Sequence, residues 1–198
     1  MRVLFARQHA TIYPGKGIFL AGPTPPDGAM PEGWRRELLE RLDARHGLSD
    51  DVTVVVPEPE DGRWRSILSK RGARFARTDD DQIAWELQYL ELCDVTAFWL
   101  PTYWSDEKAG SFPANIGPTT RWEFGFLFQR WLREPSRRRL VVGSPDDAES
   151  LGWARHVVRH HGLTWHSLSV KEKNRLVADS FVDALARAVA RNEGDGDE

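Results

Sequence analysis

The feature that most constrains the fold is an alternation. Apolar runs of strand length recur along the chain, at residues 17–22 (GIFLAG), 52–56 (VTVVV), 95–100 (VTAFWL), 139–142 (RLVV) and 163–168 (LTWHSL). Turn-forming residues follow the first four of them, with Gly22-Pro23, Pro57, Pro101 and Gly143-Ser-Pro145 closing the segments. Longer stretches with helical spacing lie between. Residues 31–45 put Trp34, Leu38, Leu39 and Leu42 on one side. Thr78-Asp-Asp-Asp opens a helix by capping and dipole logic, and that helix is expected to turn Ile83, Leu87, Leu90 and Cys93 inward. Residues 119–132, 147–161 and 171–191 complete the set, the last with Val177, Phe181, Leu185 and Val189 on one face. Residues 1–6 are compatible with a short additional edge strand, and residues 60–77 and 102–117 read as loops.

Strands that alternate with helices predict a parallel sheet covered on both faces. The expected fold is therefore α/β: one three-layer, doubly wound domain over residues 1–191 with a mostly parallel five-stranded sheet, flavodoxin- or Rossmann-like. Residues 192–198, rich in Gly, Asp and Glu, are expected to form a disordered acidic tail. At 198 residues the chain suits one domain, and its formal net charge of −3 argues against general nucleic-acid affinity. No apolar run is long enough to span a membrane and no signal-peptide pattern is present, so a cytoplasmic protein is expected. The single cysteine, Cys93, excludes an internal disulfide and a cysteine-based zinc cluster. His156 and His160 have an i, i+4 spacing without HExxH or an evident third ligand, so no metal is expected.

In sheets of this kind ligands bind beyond the carboxyl ends of the strands. Three segments there carry chemistry. Gly22, Pro23 and Thr24 follow the first buried strand, where glycine permits close backbone approach to a ligand, although GxGxxG is absent. Glu86 lies about two helical turns before Asp94, so it either overhangs a cleft or faces water. Glu123 follows Gly117, Pro118, Thr119 and Thr120. In Thr120-Arg-Trp-Glu123 it fits a capping box, and a place in the first helical turn favours its ionised form. An ionised carboxylate is also what a nucleophile needs to attack an anomeric carbon.

Ile18-Phe-Leu-Ala-Gly-Pro23, the unit from Glu86 to Asp94 running into residues 95–101, and Thr119-Thr-Arg-Trp-Glu-Phe-Gly125 occur in an order that resembles the nucleoside 2-deoxyribosyltransferase-like superfamily. The resemblance spans residues 17 to about 145. It implies that Glu123 is the nucleophile, that Glu86 recognises the sugar or base, and that the strand bearing Phe19 and the segment Gly22, Pro23 and Thr24 meet the sugar's 5′ side. Trp104 is then a stacking wall, with Asp106, Thr119 and Thr120 beside the substrate. The chain departs from the pattern in two places. Phe19 replaces a tyrosine found in many members, and no acid precedes the nucleophile within residues 115–120, where the nearest carboxylates are Asp106 and Glu107. The resemblance implies no cofactor, a nucleoside or nucleotide substrate, and a homodimer or larger homo-oligomer. Base transfer, hydrolysis of a nucleotide N-glycosidic bond, and a silent nucleotide-binding sensor all remain open at this point.

Overall fold

Among the described residues six strands form one sheet: β1 (Arg2–Phe5), β2 (Gly17–Ala21), β3 (Thr53–Val56), β4 (Val95–Trp99), β5 (Arg139–Pro145) and β6 (Trp165–Leu168). Their order is β1-β3-β2-β4-β5-β6, and every pairing is parallel. The computed structural model describes residues 1–23, 33–60, 75–103, 118–135, 137–172 and 175–190, without the side chains of 75–80 and 118–121. Among the described residues five helices cover the sheet: α1 (Trp34–His46), α2 (Phe75–Leu92), α3 (Pro118–Arg133), α4 (Gly152–His160) and α5 (Asp179–Ala190). The fold is the expected doubly wound α/β arrangement with one strand more than five, because residues 2–5 pair along their whole length with β3.

Side-chain alternation along each strand divides the core into two layers. Ile18 and Leu20, Val54 and Val56, and Val95, Ala97 and Trp99 pack under α1 and α5. Phe19, Ala21, Val55, Phe98 and Val142 pack under α2, α3 and α4. Both layers are apolar, which is why the strand segments read as continuous hydrophobic runs rather than alternating ones.

The register of α2 differs from the sequence expectation. Ile83 and Leu87 are about half exposed, while Gln82, Trp85, Tyr89, Leu90 and Cys93 are buried. Two stripes competed for the core, and the aromatic one won. Trp and Tyr bury more apolar area than Ile and Leu, and their polar ends find partners in the β1–β2 connection. Trp85 Nε1 donates to the Gln8 carbonyl at 2.7 Å, and Tyr89 Oη accepts from the Ala10 N–H at 3.0 Å. The helix already includes Phe75, so Thr78 is inside it rather than its cap. The last helix starts later than expected, because the N–H groups of Leu176 and Val177 are held by the Glu37 carboxylate (2.7 and 3.3 Å) on α1. Likewise α4 starts at Gly152, several residues after the expected point.

Candidate functional site

Strand order reverses between β2 and β4: the chain moves from β2 outward to β3, then crosses back to β4 and on to β5. The crevice above that point is where a doubly wound sheet takes ligands. β2 ends there in Gly22 and Pro23. A Cβ on Gly22 would stand 2.3 Å from the Trp99 carbonyl oxygen and 2.9 Å from the Trp34 ring, and the residue's φ is +151°. Glycine is therefore required here by the close approach of β4 and α1.

The loop's carbonyls are gathered by one buried cation. Arg35, at 2% exposure, donates to the carbonyls of Leu20 (3.2 Å), Gly22 (2.6 Å) and Pro23 (3.2 Å), and pairs with Glu58 at the end of β3. Its guanidinium lies over the Trp34 ring, 4.4 Å from the centroid, and Trp34 Nε1 donates to the Pro23 carbonyl at 3.4 Å. A buried guanidinium is tolerated because its donors are satisfied and its charge is paired. Sequence reasoning missed this residue. The signal was an arginine beside Trp34 and three residues before Leu38, on the apolar stripe of α1, together with an acid, Glu58, at the end of a buried strand.

Two carboxylates reach the same region from different helices. Glu86 on α2 is partly buried, and Gln82, one turn earlier, donates to it at 2.7 Å. Gln82 is itself buried and accepts from Arg7 Nε at 3.2 Å, so a chain from the end of β1 orients Glu86. Burial raises the Glu86 pKa, opposed by the Gln82 hydrogen bond and the Arg35 charge. Glu123 on α3 is pushed up to about 7, first by burial and then by repulsion from Glu86, with Arg35 acting the other way. Glu123 feels both Glu86 and Arg35, and Glu86 feels Arg35, which ties the two carboxylates to one cation.

This corrects the capping-box reading. α3 already includes Pro118, so Glu123 lies at least five residues inside the helix, past the third position that a capping box requires. Glu123 is too far from the helix end for the dipole to dominate, and desolvation wins. Its surroundings therefore oppose its ionisation rather than favour it.

The remaining expected site residues fall differently. Phe19 is 2% exposed within the core under α2 and α3 and presents no open surface to a ligand. Thr119 and Thr120 are in α3, their side chains outside the described set. Thr24, Trp104 and Asp106 lie outside the described residues. Beyond β4, Thr102 Oγ1 donates to the Glu149 carbonyl at 2.7 Å and Tyr103 Oη to Asp147 at 2.8 Å, which ties this strand end to the loop after β5. Among the described residues no group of three or more His, Cys, Asp or Glu could hold a metal ion, and no helix is long and apolar enough to cross a membrane.

The fold defines the class: a parallel, doubly wound α/β domain with a partly buried pair of glutamates near its switch point. A family model described as nucleoside 2-deoxyribosyltransferase like matches residues 15–133, more than half of the chain, and the protein belongs to that family. The matched stretch runs from β2 through α3 and includes Gly22, Glu86 and Glu123. No curated protein matches the sequence.

Proposed function

We propose that the protein cleaves the N-glycosidic bond of a (deoxy)nucleoside or nucleotide, with Glu123 as nucleophile. The observation that carries this reading is the convergence of Glu86 and Glu123, from α2 and α3, in a chain of this family. The ionised Glu123 carboxylate attacks C1′ through an oxocarbenium-like transition state. The bond from C1′ to the base nitrogen breaks, its electron pair leaves with the base, and the base takes up a proton from solvent water. A glycosyl ester on Glu123 remains, and a second base or water then displaces it. Glu86 holds a sugar hydroxyl or the base, oriented by Gln82. By the family resemblance, Gly22, Pro23 and Thr24 are assigned to the sugar's 5′ side, and Trp104, Asp106, Thr119 and Thr120 to substrate contact.

The raised Glu123 pKa supports this role, since a poorly hydrated carboxylate is a better nucleophile once ionised. A second reading, hydrolysis of a nucleotide, is favoured by the absence of any acid within residues 115–120 and by Arg121 nearby in sequence. Incubation with a panel of nucleosides and nucleotides, with and without an acceptor base, separates the readings. An exchanged base indicates transfer, free base alone indicates hydrolysis, and saturable binding without turnover indicates a sensor. Turnover at wild-type rate in Glu123→Gln would sink the nucleophile assignment.

Association into a homodimer or larger homo-oligomer forms part of the proposal. Ile83 and Leu87 on α2, and Trp122 and Phe126 on α3, are 47–71% exposed, and the two rings of α3 stack at 5.8 Å. Large apolar side chains left exposed on two helices of one sheet face suit contact with another copy. Light scattering on Leu87→Lys combined with Trp122→Glu is expected to show a smaller species than wild type. Equal masses would exclude this face as the contact.

A further inference from the structure

The sheet has a notch at the end opposite the glutamates. β4 pairs with β5 from Arg139 to Gly143, but β6 pairs only from Val142 to Pro145. Among the described residues, 139–141 therefore have a strand neighbour on one side and none on the other. In this notch lies a cavity of about 390 Å³, bounded by the end of α3, the start of β5, the approach to β6 and one face of α5.

Its chemistry is one-sided. Arg138, Arg139, Arg187 and His166 line it, with no lining carboxylate among the described residues. Arg138 is committed elsewhere, to the Leu90 carbonyl and to Glu91. Arg139 spends one donor on the Ala188 carbonyl. Arg187 is exposed, and among the described residues it makes no hydrogen bond or ion pair. His166 is 8% exposed and held neutral, first by burial and then by the Arg187 charge. Thr164 adds a hydroxyl, while Trp131, Leu140 and Leu163 supply apolar wall. The volume falls in the range of small organic ligand sites and far exceeds a bare oxyanion. Two guanidinium groups and a hydroxyl offer more donors than a carboxylate's two oxygens call for, and they suit a phosphoryl group.

We propose that this notch binds a small organic phosphate, with the phosphoryl group at Arg187, Arg139 and Thr164 and an aromatic or apolar body against Trp131, Leu140 and Leu163. Trp131 is eight residues beyond Glu123 on α3, roughly 12 Å along the helix, so this is a second site. It does not depend on the catalytic reading.

Calorimetric titration of the full chain with 2-naphthyl phosphate, 2-naphthol and inorganic phosphate tests it. The expected result is saturable 1:1 binding of the ester, weakened at least tenfold in Arg187→Ala, partly retained in Arg187→Lys and unchanged in Glu123→Gln. Circular dichroism confirms that the exposed Arg187 can be replaced without loss of fold. Several results overturn the proposal: no saturable binding, equal binding by Arg187→Ala, or loss of binding in Glu123→Gln, which would place the ester at the glutamates. Naphthol binding as tightly as the ester would reduce the cavity to an apolar surface. Inorganic phosphate binding as tightly would leave an adventitious ion only.

Discussion

Glu123→Gln separates a functional carboxylate from a structural cap by stability alone, with no knowledge of the substrate. In the folded protein the carboxyl is pushed from 4.5 to about 7 by burial and by Glu86. The folded state therefore holds a proton that the unfolded chain releases between these values. The sign follows: below pH 4.5 both states are protonated and no penalty exists; as pH rises to about 7 stability is progressively lost; above that the loss is constant. At about 1.4 kcal/mol per pKa unit the full penalty is roughly 3–4 kcal/mol, and partial solvent exposure reduces it to about 1–2 kcal/mol. Glutamine fills similar volume and cannot ionise, so at pH 8 the variant is expected to be more stable than wild type by that amount. For a domain of this size that corresponds to a Tm increase of roughly 2–8 °C. At pH 4.5 the two proteins should differ little. Urea or thermal unfolding of both at pH 4.5 and pH 8 is the assay. A variant no more stable than wild type at pH 8, or a difference independent of pH, would refute the reasoning and return Glu123 to a structural role.

Three further outcomes follow from the same contacts. The pH profile of kcat/KM for base release is expected to rise with a midpoint near 7, set by Glu123; in Glu86→Gln any residual activity should show a lower midpoint, because the repelling charge is gone, and an unmoved midpoint would mean that the two carboxylates are not coupled. Arg35→Met is expected to cost about 3–5 kcal/mol in urea unfolding, since it strands Glu58 and the carbonyls of Leu20, Gly22 and Pro23; a cost under 1 kcal/mol would show that water replaces the guanidinium. Gly22→Ala is expected to destabilise by more than about 2 kcal/mol, because its Cβ meets the backbone of Trp99 at 2.3 Å; near-wild-type stability would mean that β4 yields easily.

The layer order was legible because strand and helix periodicities are local properties. The runs at residues 17–22, 52–56, 95–100 and 139–142 each coincide with a strand, and their unbroken hydrophobicity announces burial on both faces. Glu86 and Glu123 were singled out by their places relative to strand ends and by the family's motif order. Periodicity could not decide which stripe of α2 faces inward. Ile83 and Leu87 fit a helical period as well as Trp85 and Tyr89 do, and only the acceptor at Gln8 and the donor at Ala10 select the aromatic face.

What the sequence determined by itself is the α/β alternation, the glycine turn after β2 and the presence of two glutamates on the helices flanking β4. Only the tertiary structure decided their electrostatic state. A pKa depends on what surrounds a group in space, and here Arg35 comes from α1, Gln82 from α2 and Glu123 from α3. The helix start suggested a firmly ionised Glu123. Burial beside Glu86 instead leaves that carboxyl poised near neutrality.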